Sequence, residues 1–135
     1  DCMPKEHIKN NIEVNTPNVS FVGWQSSLQV QSLMESSDIL VLPSYLEGFP
    51  NVILEALAHG MPVIATDVGA IADTIYPGGA GLLVEARNSK NLRLAMEKMI
   101  SNNKELEIMS IKGIDVLEKL HNRDLNCKKL FNLFE

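Results

Sequence analysis

Positive charge is missing from the middle of this chain. Of its 135 residues, none between Lys9 and Arg87 is Lys or Arg, while the same stretch holds Glu13, Glu35, Asp38, Glu47, Glu55, Asp67, Asp73 and Glu85. With a net charge of −5, the chain has no clustered cations to neutralise phosphates, which excludes a nucleic-acid surface. Cysteine is scarce too. Cys2 and Cys127 lie near opposite ends with no C-x-x-C or Cys/His cluster, so neither a zinc site nor a disulfide framework is expected, only two reduced thiols. No apolar run reaches the 18 or so residues a membrane-spanning helix needs, and the first residues show neither an initiator Met nor a signal-peptide apolar region. The reading is one excised, cytoplasmic domain, long enough for one core.

What is present is an alternation of short apolar runs and helical periodicity. Val19-Ser20-Phe21-Val22, closed by Gly23, predicts a strand, preceded by the turn-like Asn15-Thr16-Pro17-Asn18. Residues 27–36 place Val30, Leu33 and Met34 on one helical face behind Ser26 and Ser27, either a possible cap. Ile39-Leu40-Val41-Leu42 predicts a strand buried on both faces. Residues 51–59 predict a helix ended by Gly60, and Pro62-Val63-Ile64-Ala65 another buried strand. Residues 70–76 predict a short helix broken by Pro77-Gly78-Gly79, and Gly81-Leu82-Leu83-Val84 a last strand. From Asn88 onward the pattern is helical: Leu92, Ala95, Met96 and Met99 share one face, Leu106, Met109, Leu117 and Leu120 another, and Leu125, Leu130, Phe131 and Phe134 a final stripe. Apolar strands alternating with helices predict an α/β domain, a Rossmann-like, doubly wound parallel sheet covered on both sides. Its ligand edge is then the carboxyl ends of the strands, which directs attention to the loops at residues 23–27, 43–51 and 66–70.

The middle loop carries the chemistry. A helix beginning near Asn51, with Asn51 as a possible cap, leaves the N–H groups of Asn51, Val52 and Ile53, with those of Gly48 and Phe49, pointing outward as an anion site built from backbone. On that helix a single polar stripe runs through Asn51, Glu55 and His59. The plain explanation is a solvated face. Its position beside the ligand edge instead suits Glu55 to accept hydrogen bonds from a vicinal diol such as a ribose, and Glu47 to meet a sugar hydroxyl beyond the phosphates. His59 needs only its place in the helix's last turn.

Glu47 and Glu55, with seven residues between them, resemble the E-x7-E signature of glycosyltransferase family 4 and its GT-B relatives. Phe21-Val22-Gly23 resembles the family's F-x-G strand end, and Ser37-Asp38-Ile39-Leu40-Val41-Leu42-Pro43-Ser44 its S-D-hydrophobic-P-S strand. Glu55-Ala56-Leu57-Ala58-His59-Gly60-Met61-Pro62-Val63-Ile64-Ala65-Thr66 is similar to its E-A-x-A-x-G-x-P-V-I-A-T run. The resemblance implies the C-terminal, donor-binding lobe of a retaining enzyme, residues 1–135 forming that single domain and the acceptor lobe lying outside it. It implies that Glu55 binds the ribose of a nucleotide diphosphate-sugar, expected to be a UDP-sugar, and that Glu47 contacts the sugar in catalysis. Gly48, Phe49, Pro50, Asn51 and Val52 would face sugar and diphosphate, and Gly23, Trp24 and Gln25 the base, Trp24 either stacking on it or packing its own loop. No cofactor and no essential metal are implied. The expected acceptor is a glycan or lipid-linked glycan in bacterial surface polysaccharide synthesis, of O-antigen or capsule type, with peripheral association at the inner face of the membrane.

Two departures stand out. The family's glycine pair and acidic residue appear as Gly69-Ala70-Ile71-Ala72-Asp73, and the basic pair that neutralises the diphosphate belongs to an earlier strand and loop. A helix N-terminus offers an anion about 0.3–1 kcal/mol, at most about 2, against a barrier reduction on the order of 10 kcal/mol. Residues 1–135 alone are therefore expected to bind nucleotide weakly without turning over donor. The competing readings are a sugar-nucleotide epimerase or phosphorylase on the same scaffold, though no Lys for a pyridoxal group sits in the ligand-edge loops, glycoside hydrolysis by Glu47 and Glu55, and a non-catalytic nucleotide-binding module.

Overall fold

A computed structural model describes residues 18–132, without the side chains of Leu130 and Phe131. Cys2, the turn-like residues 15–17 and Phe134 lie outside the described residues, and Cys127 is a free, exposed thiol. The chain divides into two compact units, one ending at Leu33 and the other beginning at Met34.

In the first unit the expected strand at residues 19–22 is not formed. Val19, Phe21 and Val22 are each about half exposed, and among the described residues no strand pairs with them. An apolar run becomes a strand only when a neighbour takes up its backbone N–H and C=O groups. Helix α1, Ser27–Glu35, does form, its last two residues counting in the second unit, and its start is a reciprocal cap. The Ser26 N–H and hydroxyl both donate to Gln29 Oε1 at 2.9 Å, while the Gln29 N–H donates to Ser26 Oγ at 3.5 Å.

The second unit alternates strand and helix. The order is β1 Leu40–Leu42, α2 Asn51–Ala58, β2 Val63–Thr66, α3 Ile71–Gly78 and β3 Gly81–Val84, followed by helices α4 Ser89–Ile100, α5 Asn103–Leu120 and α6 Arg123–Phe131. The three strands are parallel in the order β1-β2-β3, with Val41 opposite Ile64 and Ile64 opposite Leu82. Central β2 is buried at every residue, whereas β1 is only half-buried. The expectation that β1 is buried on both faces is therefore corrected, because it lies at an edge of this sheet.

Strand alternation distributes the core. Ile64 and Val84, flanked by Ile39, Val41 and Leu82, pack against Ala95 and Met99 of α4 and Met109 of α5. Val63 and Ala65 point the other way, to the face where α2 and α3 meet the sheet with Ile53, Leu57, Ile71 and Ile75, all fully buried. Each such side chain contributes roughly 1.5–3 kcal/mol relative to exposure. Helix α5 packs on α2, α3 and α4. On the stripes predicted for α4 and α5, Ala95, Met99 and Met109 are buried, while Met96 and Leu120 are exposed and Val116 takes a core place instead.

The helix ends follow their sequences. Helix α2 stops in a left-handed turn at Gly60, φ +67, where the N–H of Gly60 donates to Leu57 C=O and that of Met61 to Ala56 C=O. Helix α3 was expected to break at Pro77 but runs through it to Gly78 and ends at Gly79. Asn88 and Asn102 cap α4 and α5 by accepting from the N–H groups of Asn91 and Glu105. No described helix is long and apolar enough to cross a membrane.

Candidate functional site

All three strands end at one edge, so residues 43–50, 67–70 and 85–88 form the rim where ligands of such sheets sit. Two of these loops are tied together. At the end of β2, the buried Thr66 hydroxyl donates to the Ser44 carbonyl at 2.5 Å. The Ser44 hydroxyl donates to Glu47 Oε1 at 2.7 Å, which holds a half-buried carboxylate in one orientation. Further along, the Ala70 N–H donates to the Gly48 carbonyl at 3.0 Å.

Gly69 makes this approach possible. It is left-handed, φ +58, and a Cβ there would fall 2.1 Å from the Glu47 carbonyl oxygen and 2.6 Å from that of Gly48. The backbones of the two loops touch, so only glycine fits. The sequence left the role of this loop open; the structure makes it the brace of the glutamate loop.

The loop then turns into α2. Pro50 is the N-cap residue, extended at φ −78 and ψ 116, and no side chain caps the helix. This corrects the expectation of Asn51 as cap, since Asn51 is the first helical residue. The Ile53 N–H donates to the Pro50 carbonyl at 3.1 Å, so it leaves the expected set of outward donors. Among the described residues those of Gly48, Phe49, Asn51 and Val52 take no protein acceptor. Gly48 is exposed, with open space where a side chain would stand, and Asn51 is exposed at the mouth of the helix. Val52 is half-buried, and Glu55 is exposed one turn further on the same helix. His59 is the C-cap residue, as its place in the last turn predicts.

Phe49 shows a link that no local pattern announced. Its ring lies 5.3 Å from that of His121, at the junction of α5 and α6, and His121 Nε2 is 3.0 Å from the Thr74 hydroxyl on α3. Thr74 is 1% exposed, so its hydroxyl needs that partner. His121 thus connects the glutamate loop to an element 72 positions away. In sequence it is a lone histidine near a helix end, with no spacing to mark it.

Gly23, Trp24 and Gln25 belong to the first unit. There Gly23 is left-handed, φ +70, and Gln25 Nε2 donates to the Val22 carbonyl at 2.6 Å. Trp24 is 83% exposed, so among the described residues it does not pack its own loop.

Residues 5–116 match the model of the family described as glycosyl transferases group 1. An uncharacterized glycosyltransferase from Methanocaldococcus jannaschii is 37% identical over 99 residues, 73% of this chain and 27% of that protein. Among solved structures, the sucrose-phosphate synthase of Thermosynechococcus elongatus superposes with a TM-score of 0.75 at 28% identity, over 86% of this chain and 29% of the other. The C-terminal domain of a group 1 glycosyl transferase from Francisella tularensis superposes at 0.66 with 30% identity, over 78% and 53%. The chain spans about a quarter of the length of the curated relative. A parallel sheet whose edge carries Glu47 and Glu55 on one braced loop and helix, together with a family match over most of its length, places this chain among the group 1 glycosyltransferases of GT-B fold.

Proposed function

We propose that this chain is the C-terminal, donor-binding lobe of a retaining glycosyltransferase that takes a nucleotide diphosphate-sugar, a UDP-sugar. The observation that carries the reading is the loop running from Ser44 into α2. It holds Glu47 by a hydrogen bond, presents the backbone N–H groups of Gly48, Phe49, Asn51 and Val52, and sets Glu55 one turn up an exposed helical stripe. Backbone donors at a helix mouth suit a diphosphate, and a carboxylate beside them suits paired ribose hydroxyls. In this reading Glu55 holds the ribose and Glu47 contacts the donor sugar. The family's mechanism needs no protein nucleophile, cofactor or essential metal. The diphosphate departs and an acceptor hydroxyl attacks from the same face. The acceptor is a glycan or lipid-linked glycan, held by a second lobe, in surface polysaccharide synthesis on the cytoplasmic side of a bacterial membrane. The likeness to the Francisella tularensis C-terminal domain supports the assignment to that lobe.

Calorimetry of the full-length protein with UDP, GDP and free sugars tests this. UDP is expected to bind, and Glu55→Ala to weaken it by about 1–3 kcal/mol, roughly 5- to 150-fold. Glu47→Ala should lower kcat more than nucleotide affinity. Wild-type kinetics in both variants would refute the assignment.

A further inference from the structure

We propose that the cavity at the ends of the three strands is a second ligand subsite, taking a sugar that bears a carboxylate or phosphate, with Arg87 as its anion contact. The proposal rests on the donor-lobe reading for its place in the reaction, since the cavity and the glutamate loop share residues. Its volume is about 520 Å³, and Pro43, Thr66 and Val84 frame it at the strand ends. That is the size of a small-molecule site. Tyr45, two residues before Glu47, forms one wall and is 66% exposed, while Arg87 and Ser89 line another part.

Arg87 is unusual in three ways. It is the first cation after Lys9, and the fold brings it to the ligand edge. It adopts a left-handed backbone, φ +62, a conformation that favours glycine or asparagine and that a long side chain takes at a cost. Its guanidinium carbon stands 5.5 Å from the centroid of the Tyr45 ring, within the range of a cation–π contact. Glu85 also lines the cavity, where its carboxylate accepts from Asn88 Nδ2 at 3.0 Å, and among the described residues it does not pair with Arg87, which has no ion pair. The charge is therefore held by an aromatic face, which leaves the planar N–H fork available. Such a fork matches a carboxylate or phosphate in two-point contact, and the Tyr45 ring beside it offers a sugar a flat apolar surface.

The probes are glucuronate, glucose 6-phosphate and glucose, titrated into full-length protein saturated with UDP. At least one of the two anionic sugars is expected to bind ten-fold or more tightly than glucose, and which of them does identifies the anion. Arg87→Gln should weaken that binding at least ten-fold and leave UDP affinity unchanged. Arg87→Gly relieves the left-handed backbone, so it should keep or raise Tm while losing the anionic sugar, which separates a binding role from a structural one. Equal binding of anionic sugars by Arg87→Gln and wild type overturns the proposal, as does their displacement by UDP, which would assign them to the diphosphate position. Failure of wild type to bind UDP at all defeats the donor reading instead, and is seen independently in the first titration.

Discussion

Gly69 and Ser44 decide where Glu47, the proposed donor-sugar contact, stands. A methyl group at Gly69 would sit 2.1 Å from the Glu47 carbonyl, closer than any relaxation of a side chain can relieve, and would force a left-handed alanine. Gly69→Ala is expected to cost at least about 2 kcal/mol of stability in urea unfolding and to depress turnover further than that loss explains, because the loop itself must move. Ser44→Ala is the milder probe. It removes the Ser44 hydrogen bond to Glu47, so kcat should fall while UDP affinity stays near wild type. An unchanged kcat would show that Glu47 is oriented by something else. The strand, loop and helix that carry the two glutamates were legible because they are local features, and the pairing of Glu47 with Glu55 as a site came from the family resemblance. Gly69 was legible as a glycine but not as a brace, since what it touches is 21 to 22 positions earlier.

At the scale of elements, the joint between α5 and α6 is the informative one. His121 supports the Phe49 ring on one side and the buried Thr74 hydroxyl on the other. His121→Ala should leave that hydroxyl unpaired, at about 1–3 kcal/mol, and also weaken UDP binding by freeing Phe49. His121→Phe separates the two effects, because it keeps a ring against Phe49 while losing the hydrogen bond. Its stability should fall as in the alanine variant, while its UDP affinity stays close to wild type. Equal UDP affinity in all three proteins would show that the contact serves stability only. The elements also show where periodicity misled. Residues 19–22 read as a strand and are not one, because a strand is a property of a pair and the pairing partner is not encoded in the run itself. Pro77 read as a helix breaker, yet α3 continues one residue past it before left-handed Gly79 ends the helix.

For the whole molecule, the deepest core and the proposed ribose contact are expected to separate stability from binding. The core around Ile64 and Ile53 is remote from solvent, and Ile64→Ala is expected to cost about 2–5 kcal/mol, lowering Tm by roughly 10 °C. Glu55, exposed on α2, should leave Tm within about 2 °C when replaced by alanine, as exposed positions do, while carrying the loss of nucleotide. A large Tm change for Glu55→Ala would mean that it holds the fold rather than a ligand. Expressed alone, residues 1–135 should transfer no sugar from a UDP-sugar, measured by product formation, because backbone dipoles at α2 supply too little of the leaving-group stabilisation. Detectable transfer would refute that.

The sequence by itself determined the parallel α/β class, the register of strand, loop and helix around Glu47 and Glu55, and the family resemblance, because all of these depend on residues close together along the chain. Only the tertiary structure decided which strand is central, that Gly69 braces the loop of Glu47, that His121 reaches Phe49, and that Arg87, distant in the chain from both glutamates, arrives at the edge they occupy. These depend on contacts across 20 to 70 positions. Chain connectivity and side-chain period specify what each segment is, whereas the packing of three parallel strands under their helices specifies which segments meet.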